Sequence, residues 1–178
     1  MGLLGSSNAV FSQEASTEVL PEPKKNYYEL TEIVKIDSVP GSELLKRAVE
    51  WVKTENTRYV KINGITTSTK AECTVVYKVK PKELNPHPDW TGTVIMHVSV
   101  ECKDSKYRYV INKVKHSSTS GKASGGDVTN AVPDCGSMTM SDIVWKKLKG
   151  DAIKYANGIM YEIKEAMNKP STTKKDDW

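Results

Sequence analysis

Phenylalanine is almost missing from this chain, with one residue against eight tyrosines and four tryptophans. Tyr and Trp keep a polar tip, so such a set suits half-buried positions on a sheet better than a dry centre. Cysteine is also scarce. Cys73, Cys102 and Cys135 are odd in number and lack C-x-x-C spacing, so neither a disulfide framework nor a zinc site is signalled. The three histidines, His87, His97 and His116, form no H-x-x-x-H or H-E-x-x-H pattern, and no acidic run has calcium-loop form. Asp176-Asp177 is an ordinary solvated charge pair near the C-terminus. No apolar run approaches the roughly 20 residues of a membrane span. Charge of one sign is lacking too. The net value is +4, partly from the terminal KPSTTKKDDW, whereas a strongly nucleic-acid-binding domain carries a denser Lys/Arg stripe.

What remains is globular composition, 38% hydrophobic and 27% charged, in a chain of 178 residues that suffices for one domain with tails. The opening MGLLGSSNAVFSQE resembles the back half of a secretory signal peptide whose charged front is missing, with cleavage near Ser12-Gln13. An unstructured end and the short N-myristoylation pattern from Gly2 to Ser6 are the alternatives. Residues 1–26 therefore read as an export-signal-like segment plus an extended, Pro- and charge-rich leader. A single domain occupies 27–168, and 169–178 is a polar tail read as disordered. The localisation this implies is periplasmic or extracellular.

Alternation marks the strands. YYELTEIVKID puts Tyr28, Leu30, Val34 and Ile36 on one face. RYVKINGIT sets Val60 and Ile62 against Lys61 and Asn63, and Asn63-Gly64 ends or bulges it. AECTVVYKVK turns Ala71, Cys73, Val75, Tyr77 and Val79 one way and Glu72, Thr74, Lys78 and Lys80 the other. GTVIMHVSVEC opposes Val94, Met96, Val98, Val100 and Cys102 to Thr93, His97, Ser99 and Glu101. After the polar knot Lys103-Asp104-Ser105-Lys106 comes a returning strand to Val114. It carries Tyr107, Tyr109 and Ile111 on one side, and Arg108, Val110, Asn112 and Val114 on the other. Helical spacing joins Leu44, Ala48 and Val52 behind Ser42 as a cap, with Trp51 near the edge of the stripe. The same spacing runs from Trp145 through Leu148, Ala152, Ala156, Ile159 and Ile163 to Met167, behind Ser141. Gly150-Asp151 is a possible break, and Pro170 the stop. Between His116 and Met140 periodicity vanishes, and a loop of that length is either functional or mobile.

The order β-α-β-β-β-β-α predicts an α+β fold: two layers, a five-stranded antiparallel curved sheet with two helices on one face, since both apolar stripes need the same sheet to cover them. The ELLKRAVEWV helix with Trp51, the VSVECKDSKYRYVINKV hairpin and the late helix opening near Trp145 resemble an uncharacterised bacterial domain-of-unknown-function family with a TATA-binding-protein-like fold. The likeness spans about 27–167. It implies export and transfers no activity and no functional residue.

No catalytic, cofactor-binding or metal-binding residue is assigned, and no cofactor is called for. The expectation is an exported, non-enzymatic domain that binds a small ligand or a protein partner, through the concave sheet side or the 117–140 loop. A small ligand would need space under the last helix, beside Ala71, Cys73, Met96 and Met160, with Tyr77 and Tyr109 as polar tips; a filled core made of the same side chains is the competing reading. One alternative is an enzyme using Cys135 or a histidine near the 117–140 loop, although no G-x-S-x-G elbow supports it. SGKASGGDV lacks P-loop spacing and reads as a flexible loop. The other alternative is a nucleic-acid-binding sheet, which would need a basic face with apolar wedges, whereas Glu72, Lys78, Lys80, His97 and Glu101 mix both signs.

Overall fold

A computed structural model describes residues 29–79 and 90–172. His87, Tyr28, Lys80, Asp176-Asp177 and the N-terminal 1–26 lie outside the described residues. Strands β1 (Leu30–Lys35), β2 (Val60–Thr66), β3 (Lys70–Val79), β4 (Gly92–Lys103), β5 (Lys106–Ser118) and β6 (Gly126–Asp127) form one sheet, with helices α1 (Gly41–Lys53) and α2 (Asp142–Asn168). The strand order is β1-β5-β4-β3-β2, every pair antiparallel, and the short β6 sits beside the far end of β5. The α+β, two-layer expectation holds, with β6 as a sixth strand that the aperiodic stretch hid.

Both helices cover one face. Ala71, Cys73, Val75, Tyr77 and Val79 of β3, five alternate residues of β4 from Val94 to Cys102, and Tyr107, Tyr109 and Ile111 of β5 are buried beneath them. Helix α1 lies over β3 and β4, while α2 packs on β5, β1 and α1. The helix α2 stripe from Trp145 to Met167 is buried throughout, and Ser141 caps it, accepting a hydrogen bond from the Val144 N–H at 3.4 Å. Gly150 does not break the helix. The mid-helix glycine costs about 1 kcal/mol relative to Ala, less than burial of the flanking Leu148 and Ala152 returns.

Four readings of the sequence are corrected. Ser42 is not the cap of α1: the helix starts at Gly41, without a side-chain cap from its own strand of chain, and Asp104 of the β4–β5 turn accepts the Gly41 N–H at 2.7 Å instead. Val114 faces the core, because a bulge at Lys113 (φ 52°) inserts one extra residue into β5 and flips the alternation beyond it. That bulge also buries His116 and carries the strand on to Ser118. The stretch after His116 is a packed cover, with Ala123, Val128 and Met140 buried. Finally, the first residues of the tail dock on α1: Ser171 donates from N–H and Oγ to Glu43, and Thr172 donates to Glu50.

His116 fastens that cover. Its Nδ1 accepts the Gly125 N–H at 3.0 Å, which leaves the ring proton on Nε2, 3.3 Å from the Trp90 carbonyl oxygen. Burial pushes its pKa below the ordinary 6.5 against the opposing pull of the Trp90 carbonyl. The unfolded chain thus takes up the proton first, so this contribution is intact above about pH 6.5 and is lost as pH falls through the folded-state value. Thermal melts should show a drop in melting temperature from pH 7 to pH 5 that His116→Phe flattens. An unchanged slope in the variant would contradict the assignment.

Candidate functional site

The candidate site is the sheet face the helices leave open, and β2 decides its character. Val60 and Ile62 point outward, while Lys61 turns inward, where its ammonium lies 4.5 Å from the Trp51 ring centroid and donates to the Trp51 and Thr54 carbonyls at the end of α1. The lysine thereby serves as the cation at a helix C-terminus. Its inward turn forces the aliphatic neighbours to the wet side. A bulge at Asn63-Gly64 (Asn63 φ 53°) then keeps Ile65 on the same outward face as Ile62, three residues earlier. Val60, Ile62 and Ile65 are 59%, 43% and 54% exposed.

Register makes the patch continuous. Val60 stands opposite Val76, and Val76 opposite Ile95, so a row of three aliphatic side chains crosses β2, β3 and β4. Beside it run Ile62, Thr74 and His97, then Ile65, Glu72, Ser99 and Val110. The carboxylates of this face are matched: Glu72 pairs with Lys70 at 2.6 Å and Glu101 with Arg108 at 2.6 Å. The Lys70 hydrogen bond holds the Glu72 carboxyl below the usual range. Lys35, Lys78, Lys103 and Lys106 form no ion pair among the described residues, which leaves the face with an excess of positive charge.

The residues singled out from sequence are not brought together. Cys135 is half-buried, and burial raises its thiol pKa, the reverse of what an attacking thiolate needs. The buried Cys73 and Cys102 thiols are pushed up to about 11 and about 12. His116 has both ring nitrogens engaged with backbone, and His97 stands 3.8 Å from Glu72 on the open face. The glycines of SGKASGGDV are structural. A side chain at Gly125 would run into the Trp145 ring, Gly126 holds φ 72° against Asp134, and the Gly125 N–H already serves His116. Among the described residues no three His, Cys, Asp or Glu side chains gather as a metal site, and no helix is long and apolar enough to cross a membrane.

Under α2 the sheet is packed. Ala71, Cys73, Met96 and Tyr77 of the sheet and Ala152, Ala156 and Ile159 of α2 are all buried in one core cluster, with Tyr77 stacked on Tyr155 at 4.1 Å and tilted against Tyr59 at 4.9 Å. Tyr109 donates to Glu32 rather than pointing into a void. At the rim Arg58, Tyr59 and Asn56 all donate to Glu162 and tie the α1–β2 connection to α2. The outward turn of β2 was missed in the sequence, since Val-Lys-Ile alternation does not say which face is wet. An inward lysine beside a helix end carrying Trp51 was the available signal.

An antiparallel curved sheet with two helices on one face is the architecture of the TATA-binding-protein-like folds. Solved structures of two bacterial proteins are among those that share it. A DUF4468 family protein from Bacteroides ovatus matches with a TM-score of 0.57 at 9% identity, over 85% of this chain and 93% of that one. A TBP-like protein from Parabacteroides distasonis matches with 0.56 at 14% identity, over 83% and 97%. The likeness agrees with the family resemblance seen in the sequence, and at these identities it concerns the fold. No protein-family model matches the chain, and no curated protein does.

Proposed function

We propose that this is an exported, non-catalytic domain that docks a protein partner on its open sheet face. The observation that carries it is the outward set on β2, Val60, Ile62 and Ile65, continuous with Val76 and Ile95. Contiguous aliphatic surface left in water is the usual mark of an interaction site. Docking is by face rather than by edge: β2 carries an inward lysine and a bulge, two features that blunt an edge strand against pairing with another chain. The unmatched lysines select a partner with an acidic rim around its apolar centre. A protein is preferred to a small molecule because side chains fill the space between α2 and the sheet. Export rests on the signal-like 1–12 segment, and mature protein from its host should begin near Gln13.

Site-specific photo-crosslinking in the native host tests the docking reading. A photoreactive residue at position 62 or 76 should yield one discrete adduct with another protein. The same probe at the exposed Tyr161 of α2 should not. Equal labelling from both faces, or adducts only with a second copy of this chain, would contradict it.

A further inference from the structure

We propose that the turn end of the open face, around the Lys103–Lys106 knot, is a carboxylate-binding site for an acidic segment of the docked protein. The inference rests on the docking reading but on separate residues. Lys35 of β1 stands directly opposite Lys106 of β5, and Lys106 directly opposite Lys103 of β4. All three lie on the open face and are exposed. Like charges directly opposite across strands repel, so a row of three is an arrangement folding alone does not favour. No carboxylate among the described residues pairs with any of them. Arg108, the next residue on the same face, is matched among the described residues by Glu101.

The knot contains its own carboxylate, Asp104, and the fold directs it elsewhere. Asp104 accepts the Gly41 N–H, the Ser105 N–H donates to the Val39 carbonyl at 2.9 Å, and the Ile36 N–H donates to the Ser105 carbonyl at 2.9 Å. The turn is therefore clamped to the β1–α1 connection. The approach is close: a side chain at Gly41 would come within 3.0 Å of the Lys103 carbonyl carbon. The lysine row is held in place by backbone, at an end of the sheet where a cleft of about 170 Å³ is lined by Ile33, Glu101, Lys103, Lys106, Tyr107 and Arg108.

The dimensions favour a peptide. Neighbouring strands lie about 4.8 Å apart, so the backbone positions of the row span about 10 Å, a length that an extended chain matches better than a single phosphate does. An extended segment presents alternate side chains on one side every 6–7 Å or so, and two alternating Asp or Glu residues cover the row. Ile33, 64% exposed beside Arg108, gives the segment an apolar contact. Nucleic acid would need a continuous track of cations along the whole face, whereas at the other end Lys78 and Lys115 only flank the aliphatic row of Val60, Val76 and Ile95.

The test is a titration of the full chain with a synthetic octaglutamate peptide, followed by amide chemical shifts in ¹⁵N spectra. Shifts should cluster at Ile33, Lys35, Lys103, Lys106 and Arg108 and weaken with added salt. Lys103→Gln/Lys106→Gln should bind the peptide at least about 5-fold more weakly, and Lys146→Gln/Lys147→Gln on α2 should bind as the parent does. Shifts spread over every lysine, the same pattern from inorganic phosphate at equal concentration, or tighter binding of a DNA duplex at these residues would each overturn the proposal. Photo-adducts at position 62 that persist when the peptide fails to bind would leave face docking standing and remove the acidic-segment site alone.

Discussion

Trp145→Ala is expected to destabilise the protein by about 3–5 kcal/mol, the range for removing a large aromatic from a packed interior. The side chain is 1% exposed at the first turn of α2, and it joins three parts of the fold. Its ring presses on Gly125 closely enough that no side chain fits there, and its Nε1 donates to the Asn130 carbonyl at 3.1 Å. Lys149 lies 5.1 Å from the ring centroid and donates to the same carbonyl. Truncation opens a cavity and leaves the stretch from Ser124 to Asn130 without its support. For a domain of this size the loss corresponds to roughly 10–15 °C in melting temperature. Amide exchange should quicken first at Gly125, whose N–H is held by His116, and last in β3 and β4. A loss below about 1 kcal/mol, with protection at Gly125 unchanged, would show that the cover after β5 does not depend on Trp145.

The alternation of β3 and β4 and the stripe of α2 were legible in the sequence because burial is one-sided there: every second residue of each strand, and every third or fourth of the helix, is apolar. The open face was legible only where its residues are polar, as at Glu72, Thr74, Ser99 and Glu101. Two bulges hid the rest. Lys113 and Asn63 both take positive φ, and neither position announces which face follows it: Asn63-Gly64 suggested a turn or bulge, whereas Lys113 gave no signal at all. Alternation alone therefore sets Val114 on the open side, stops the strand short of His116 and does not mark Val60, Ile62 and Ile65 as a surface patch. Capping was missed at α1 for a related reason. Its partner, Asp104, is 63 residues away, and local pattern cannot report a contact at that separation.

Buried charge was equally illegible. Arg47 sits in the α1 stripe and is 9% exposed, yet its Nη1 donates to the Met167 carbonyl at 2.7 Å and its Nε to Glu43 at 2.9 Å. The last turn of α2 has no basic residue of its own, and Arg47 supplies the cation that a helix C-terminus favours. Glu43, held below the usual carboxylate range chiefly by the Ser171 N–H, completes the joint between the two helices.

The second large effect follows from the division of the sheet into a covered and an open side. Val98 of β4 is fully buried between Cys73 and Ile111, so Val98→Glu places an unpaired carboxylate in the core and is expected to unfold the domain at room temperature. Ile62→Glu puts the same group on the open face, where it is solvated, and its cost should stay within about 1 kcal/mol. Comparing the melting temperatures of these two variants with that of the parent is the most direct test. The account predicts a folded Ile62→Glu protein melting within about 3 °C of the parent and a Val98→Glu protein with no cooperative transition. Comparable losses in both would mean that side chains cover both faces of the sheet, and the docking surface would not exist.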